Sequence, residues 1–311
     1  MRSLLDPLMV TLSDLSPAEF VDYLQQSSNS IDAALCKYGA IKFSGVRIDS
    51  TYDFRQIVNA TAVEFLNYID GNSPRIKLID NIYTSTEYDK TKRITMHNEL
   101  SYTSRWPGRL YFSCLQPSES GGETLLANSR QILEVMNPSI TAEIRRKGIK
   151  YIRNLHGGQG MGPTWQKTFE TENQQEVTDY CTSHGIKYAW TDFGQLRLEQ
   201  DSPGILRHRV TNEELWFNQL DQFHPSHLGE ELYGVMTAIY ETPENFPTYV
   251  EFGDGTPIPP DMVEEVIATI DEVTIAPVWQ KHQFLVLDNE LVCHGRNSYT
   301  GDRSVIVAMS K

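Results

Sequence analysis

The sequence lacks the glycine-rich phosphate cradles. No G-x-G-x-x-G follows a strand-like run and no G-x-x-x-x-G-K-[ST] occurs, so dinucleotide and P-loop readings lose the backbone amides on which they depend. Cysteine is scarce. The four residues Cys36, Cys114, Cys181 and Cys293 form no C-x-x-C pair, which removes the usual zinc and dithiol signatures. A chain of this length builds its own core, so free and mostly buried thiols are expected rather than disulfides. Positive charge is also short. Lys plus Arg is 27 against 41 Asp plus Glu, a net charge of −14. That balance opposes a nucleic-acid surface or a polybasic membrane anchor, both of which need clustered cations. No stretch approaches the ~20 apolar residues of a membrane helix. The opening MRSLLDPLMVTLSDLS breaks its apolar patch at Asp6 and Pro7 and lacks the continuous core of a signal peptide. A cytoplasmic protein is the expectation.

What is present is ordinary globular composition, 40% hydrophobic and 22% charged over 311 residues. Ser16-Pro17-Ala18-Glu19 is a capping box that predicts a helix through Phe20, Tyr23 and Leu24. Residues 53–69 repeat an amphipathic pattern closed by Gly71. Further helices are expected over 128–136, 139–147, 174–184, 227–240 and 260–272. Strand-like runs fall at 40–46, 93–100, 109–115, 124–127, 187–190, 195–198, 206–210, 215–217, 283–287, 291–293 and 304–309. Strands and helices do not alternate regularly, which disfavours a parallel doubly wound sheet. One domain with a β core and outer helices is expected over 1–311, with 1–34 as a helical extension packed on it.

Three segments carry chemistry. In Ile94-Thr95-Met96-His97-Asn98-Glu99, His97 and Glu99 share a face if the strand is regular, so an imidazole and a carboxylate meet one cation. Taken alone, the pair reads as the polar edge of a strand. His294 closes a very apolar strand pair, 283–287 and 291–293, where a satisfied core histidine is the commoner outcome. Nine residues on, Arg303 opens the apolar strand 304–309 with no alternating acid. A bound carboxylate answers such a guanidinium; the plainer alternative is a surface pair with Asp302 or Asp288. Ser120-Gly121-Gly122-Glu123-Thr124 sets a bend before a strand and leaves the Thr124 hydroxyl at its start. Together, two histidines and one carboxylate resemble the facial triad of non-haem Fe(II) oxygenases, which leaves three metal positions open.

The order HNE, GGETL, then H-x8-R resembles the taurine dioxygenase-like (TauD/TfdA) superfamily. The runs MHNELSY, WFNQ, FGDGTPI, LVLDN and CHGRNSYTGDRSVIVAM resemble its SyrP-like branch, with clavaminate synthase a more distant relative. The resemblance covers roughly residues 35–311. It implies a β-rich α+β fold with a double-stranded β-helix (jelly-roll) core and flanking helices. It also implies Fe(II) on His97, Glu99 and His294, 2-oxoglutarate on Thr124 and Arg303, and O2 as co-substrate. Many members carry Asp as the acidic ligand. Glu99 keeps the ligation and argues against the halogenating relatives, which replace it with a small residue. Two departures stand out. A W-x-x-G-D turn is replaced by Trp279-Gln280-Lys281-His282-Gln283, and no second Arg follows Arg303, which disfavours a sulfonate substrate.

The branch implies an amino-acid-type small molecule, free or tethered to a carrier protein, hydroxylated at an aliphatic carbon in natural-product biosynthesis with release of succinate and CO2. Desaturation or cyclisation is the alternative outcome. Substrate-side candidates beside the ligands are Asn98, Ser101, Tyr102, Arg105 and Asn218. The glycine-rich stretch 156–162 is a candidate lid, and Arg145-Arg146-Lys147 is a candidate carrier contact. His208, His224 and His227 are read as structural. A reading of a different class is a non-catalytic jelly-roll binding protein; a charge-transfer band with Fe(II) and 2-oxoglutarate separates the two.

Overall fold

Every residue of the strand Gln283–Asp288 is buried, and its alternate side chains serve two different cores. Leu285 and Leu287 turn to one core, Phe284 and Val286 to the other. The neighbouring strands Arg109–Gln116 and Ser304–Ser310 divide in the same way: Leu110, Phe112, Val305 and Val307 on the first side, Tyr111, Ile306 and Ala308 on the second. A two-residue period with both faces apolar is what a sheet covered on both sides requires. The structure, a computed structural model, describes residues 7–62, 64–72, 75–85 and 88–311.

These strands belong to a seven-stranded sheet. Its order is Leu8–Leu15, Ala40–Val46, Gln283–Asp288, Arg109–Gln116, Ser304–Ser310, Ile82–Thr84 and Lys77–Ile79. The first pair is parallel and the others are antiparallel. A three-stranded sheet, Ile94–His97, Val292–Arg296 and Thr124–Asn128, supplies Met96, Leu125, Ala127 and Val292 to the inner core shared with the large sheet. These two layers form the jelly-roll core. The outer face of the large sheet is covered by Phe20, Leu24, Leu35, Phe54, Ile57 and Val58 from the helices Pro17–Gln26, Ser28–Tyr38 and Thr51–Thr61. A four-stranded antiparallel sheet, Lys187–Trp190, Leu196–Ser202, Ile149–Leu155 and Thr248–Phe252, lies between the second and third of the chemical segments in sequence.

The capping box at Ser16 forms as read, with Glu19 donating its backbone N–H to the Ser16 hydroxyl and accepting from the Ser16 backbone. Three expectations need correcting. The chain before that box is not helical: Leu8–Leu15 is an edge strand of the large sheet, paired with Ala40–Val46, so the first 34 residues include part of the core sheet rather than a helical extension alone. The helix expected over 53–69 spans Thr51–Thr61. The apolar residues after it are taken by the last strand instead: Phe65 bridges to Ser310, and the Leu66 amide donates to the Met309 carbonyl. The strand expected over 93–100 ends at His97, and Leu100, at φ 57°, turns the chain away.

Candidate active site

Strand pairing places the two histidines. His97 is the last residue of Ile94–His97 and lies directly opposite His294 across the antiparallel ladder. Their rings are 4.4 Å apart between centroids. Glu99 is not on that strand, so alternation does not bring it to His97. It sits in the following turn, held from below by Asn289. The Glu99 amide donates to Asn289 Oδ1 at 2.7 Å, and Asn289 Nδ2 donates to the Glu99 carbonyl at 3.0 Å. The result is that His97, Glu99 and His294 offer ligand atoms all within 4.8 Å of one another, every one of the three residues buried. His97 Nδ1 donates to the Thr95 carbonyl at 2.9 Å, which leaves Nε2 with its lone pair for a cation. His294 Nε2 lies 3.6 Å from Glu99 Oε2.

The electrostatics suit a cation. Burial, with His294 alongside, pushes the His97 imidazole down to about 4, so it is neutral at neutral pH and able to ligate. Burial raises the Glu99 carboxyl, but the Arg75 guanidinium together with His294 and His97 outweighs it and holds the group well below the usual carboxylate range. Arg75 was not singled out in the sequence. Its Nη2 donates to Glu99 Oε2 at 2.5 Å with both side chains 4% exposed. Nothing local to Arg75 signals this, because its partner is 24 residues away.

Arg303 and Thr124 line the same small cavity as His97, His294 and Arg75. Arg303 directly precedes Ser304–Ser310 of the seven-stranded sheet, whereas His294 lies in the three-stranded one. Arg303 Nε donates to the Gly122 carbonyl and its Nη1 to Ser85 Oγ. Burial, with Arg296 nearby, lowers the guanidinium to about 10. Among the described residues Arg303 has no carboxylate partner within ion-pair range: Asp288 is engaged by His208 and Arg209 instead. Thr124 Oγ1 accepts from Trp279 Nε1 at 2.9 Å. The missing Gly-Asp turn is replaced locally by His282 at φ 69°.

The five substrate-side candidates all find partners within the protein, and none lines that cavity. Asn98 Nδ2 donates to the Asn289 carbonyl, and Asn218 bridges the Gly204 carbonyl and the Leu220 amide. The Ser101 hydroxyl accepts from Gln219, and Tyr102 donates to the Asp70 carbonyl. Arg105 contacts His184 beside a separate cavity of about 210 Å³. In the glycine-rich stretch, the His156 ring lies against the Gly158 amide and the Gly162 carbonyl. The basic run 145–147 is neutralised, Arg145 by Glu214 and Arg146 and Lys147 by Glu143.

The donor set fits a divalent metal of the non-haem iron type, with two imidazoles, one ionised carboxylate and an anchored second nitrogen on His97. The half-buried Arg303 guanidinium, without an acid among the described residues and sharing its cavity with the Thr124 hydroxyl, fits the far carboxylate of a dicarboxylic acid.

The family described as Taurine catabolism dioxygenase TauD, TfdA family matches residues 5–309. The chain is 35% identical over 297 residues to the dapdiamide synthesis protein DdaC of Enterobacter agglomerans, covering 96% of this chain and 88% of that one. It is 26% identical to a clavaminate synthase-like protein of Arabidopsis thaliana over 97% and 90% of the two chains. Among solved structures, a taurine dioxygenase from Burkholderia xenovorans superposes with a TM-score of 0.56 at 12% identity, over 98% of this chain and 86% of that one. An asparagine oxygenase in complex with Fe(II), 2S,3S-3-hydroxyasparagine and succinate superposes with a TM-score of 0.55 at 13% identity, over 94% and 79%. At such identities these two likenesses speak for the fold.

Proposed function

The chain belongs to the TauD/TfdA family of Fe(II)- and 2-oxoglutarate-dependent dioxygenases, and from that premise we propose that it hydroxylates an aliphatic C–H of a small amino-acid-type substrate in a biosynthetic pathway. His97, Glu99 and His294 would hold the iron. Arg303 and Thr124 would hold the far carboxylate of 2-oxoglutarate. When bound, this pair of cofactors supplies the oxidising power for an unactivated C–H bond and yields succinate and CO2.

The chain's own residues do the placing. The Thr95 carbonyl fixes the His97 ring through Nδ1, and Asn289 fixes the Glu99 backbone from two sides, so the ligands meet a metal with little reorganisation. Phe112, Ile94 and Val307 wall the cavity and keep water from the reacting carbon. No side-chain base is required at the substrate. The observation that carries the reading is the meeting of residues 97, 99 and 294 beside a half-buried Arg303 that has no ion-pair partner among the described residues. Support for an amino-acid-type substrate comes from a relative named for dapdiamide synthesis and from the asparagine oxygenase of like fold, whose structure holds a hydroxylated amino acid.

The test begins anaerobically. Fe(II) plus 2-oxoglutarate should give the weak visible charge-transfer band of a chelated 2-oxo acid, and His97→Ala or Glu99→Ala should abolish it together with succinate release. A screen of free and carrier-loaded amino acids should then return a product heavier by one oxygen. Iron binding with no such band would sink the assignment.

A further inference from the structure

Arg75 is more than a counter-ion. Its side chain is 4% exposed, and its Nη2 sits 2.5 Å from Glu99 Oε2. That is the same carboxylate oxygen that faces His294 Nε2 at 3.6 Å, and so the one placed for a metal shared by the triad. The guanidinium carbon lies 4.3 Å from the centre of the Tyr68 ring, a cation–π contact. Among the described residues, its Nε and Nη1 are buried without a hydrogen-bond acceptor. Donors left in that condition inside a protein mark an acceptor that arrives from elsewhere. Arg75 and Arg303 line one cavity.

The charges lead to the same place. A divalent metal, two guanidiniums, Glu99 and a doubly negative 2-oxoglutarate leave one positive charge over in a buried space, and a buried net charge is costly. Arg296, which also lines the cavity, adds a further positive charge; its guanidinium donates to the carbonyls of Tyr88, Asp89 and Lys92, which fixes its place without cancelling that charge. A further anion therefore suits the site.

We propose that Arg75 and the metal compete for Glu99 Oε2, and that the guanidinium displaced by the metal becomes the anchor for a free carboxylate on the substrate. This rests on the oxygenase reading above and narrows it. A substrate joined to a carrier through its only carboxyl group has lost that charge and does not satisfy Arg75. The site therefore takes a free acid, or a tethered group that keeps a second carboxylate.

Two measurements on the full chain decide it. The first is Co(II) affinity by competition with a chelating dye, without 2-oxoglutarate or substrate. Removing a competing cation should tighten Co(II) binding by Arg75→Gln on the order of tenfold, with Arg75→Lys between that variant and wild type. Melting curves confirm that each variant is folded, and the lysine variant carries the comparison if the glutamine variant is not. Equal or weaker Co(II) binding by the variants overturns the competition, since a residue that merely positions Glu99 would weaken metal binding when lost. The second uses the anaerobic Fe(II)–2-oxoglutarate complex, probed with free amino acids and their primary amides. Compounds that shift the visible band should be the acids, their amides weaker by roughly tenfold or more, and Arg75→Gln should lose that preference. Amides binding as well as acids, a preference kept by Arg75→Gln, or no acid engaging the wild type each overturns the anchor. Failure of the oxygenase reading looks different: no band forms at all, while the Co(II) comparison still reports on Arg75.

Discussion

Asn289 spends both side-chain polar atoms and its backbone on the turn that carries Glu99. It accepts from the Glu99 amide, donates to the Glu99 and Pro107 carbonyls, accepts from Asn98 at its own carbonyl, and donates to the Gly108 carbonyl through its amide. It is 0% exposed. Asn289→Ala removes three of these bonds and leaves buried partners unpaired, which should cost about 2–4 kcal/mol of stability. Urea unfolding reads that loss, and Co(II) affinity should fall with it because the Glu99 turn loosens. Arg303 gives the complementary case. Its Nε and Nη1 bonds inside the protein go to a carbonyl and a hydroxyl, so its removal spares the proposed metal ligands. Arg303→Ala should raise the KM for 2-oxoglutarate at least about tenfold, as expected for a lost charge-assisted carboxylate contact, while Co(II) affinity stays close to wild type. An unchanged KM would strike Arg303 from the cofactor site.

At the scale of the element, the decisive unit is the ladder joining Val292–Arg296 to Ile94–His97 and Thr124–Asn128. The register alone puts His294 opposite His97, and a slip of one residue would turn the ring to the other face. Gly295 follows His294 and permits the close approach of Ile94–His97: a Cβ there would stand 2.6 Å from the Ile94 carbonyl oxygen and 3.1 Å from Met96 Sδ. Gly295→Ala should therefore push the two strands apart, cost roughly 1–3 kcal/mol and weaken Co(II) binding, although no ligand has been touched. Full stability with native metal affinity in that variant would show the strand separation to be less constrained than the contacts indicate. Elements with local signals were legible: the capping box at Ser16, the proline start and glycine stop around Pro138–Lys147, and the helix Pro260–Glu272. Leu8–Leu15 was not, because an edge strand that is half exposed and paired in parallel has no turn signal beside it and takes its partner from residues 40–46.

At the scale of the whole molecule, the proposed metal ligands close a loop of nearly two hundred residues, from His97 in the small sheet to His294 two strands from the C-terminus. The ligand geometry exists only when both jelly-roll layers are formed, so a metal binds the native state and not the unfolded one. Co(II) at a hundredfold excess over its Kd should add about 2.7 kcal/mol and raise the melting temperature. EDTA should reverse the rise, and His97→Ala should not show it. A rise of equal size in that variant would place the metal elsewhere.

The chemistry of the site is written in the order of residues along the chain: a histidine and an acid two apart, a glycine-gated threonine, and a histidine nine residues before an arginine. Those types and spacings needed no coordinates, because they reflect what a metal and a dicarboxylic acid demand. Which neighbours surround them was decided only by tertiary structure. Glu99 reaches the metal position from a turn braced by Asn289, 190 residues away, and Arg75 enters from a segment with no local mark. Asn98 and Asn218 turn out to brace backbone. Side-chain direction beyond the end of a strand depends on packing partners distant in sequence, and periodicity carries no information about those.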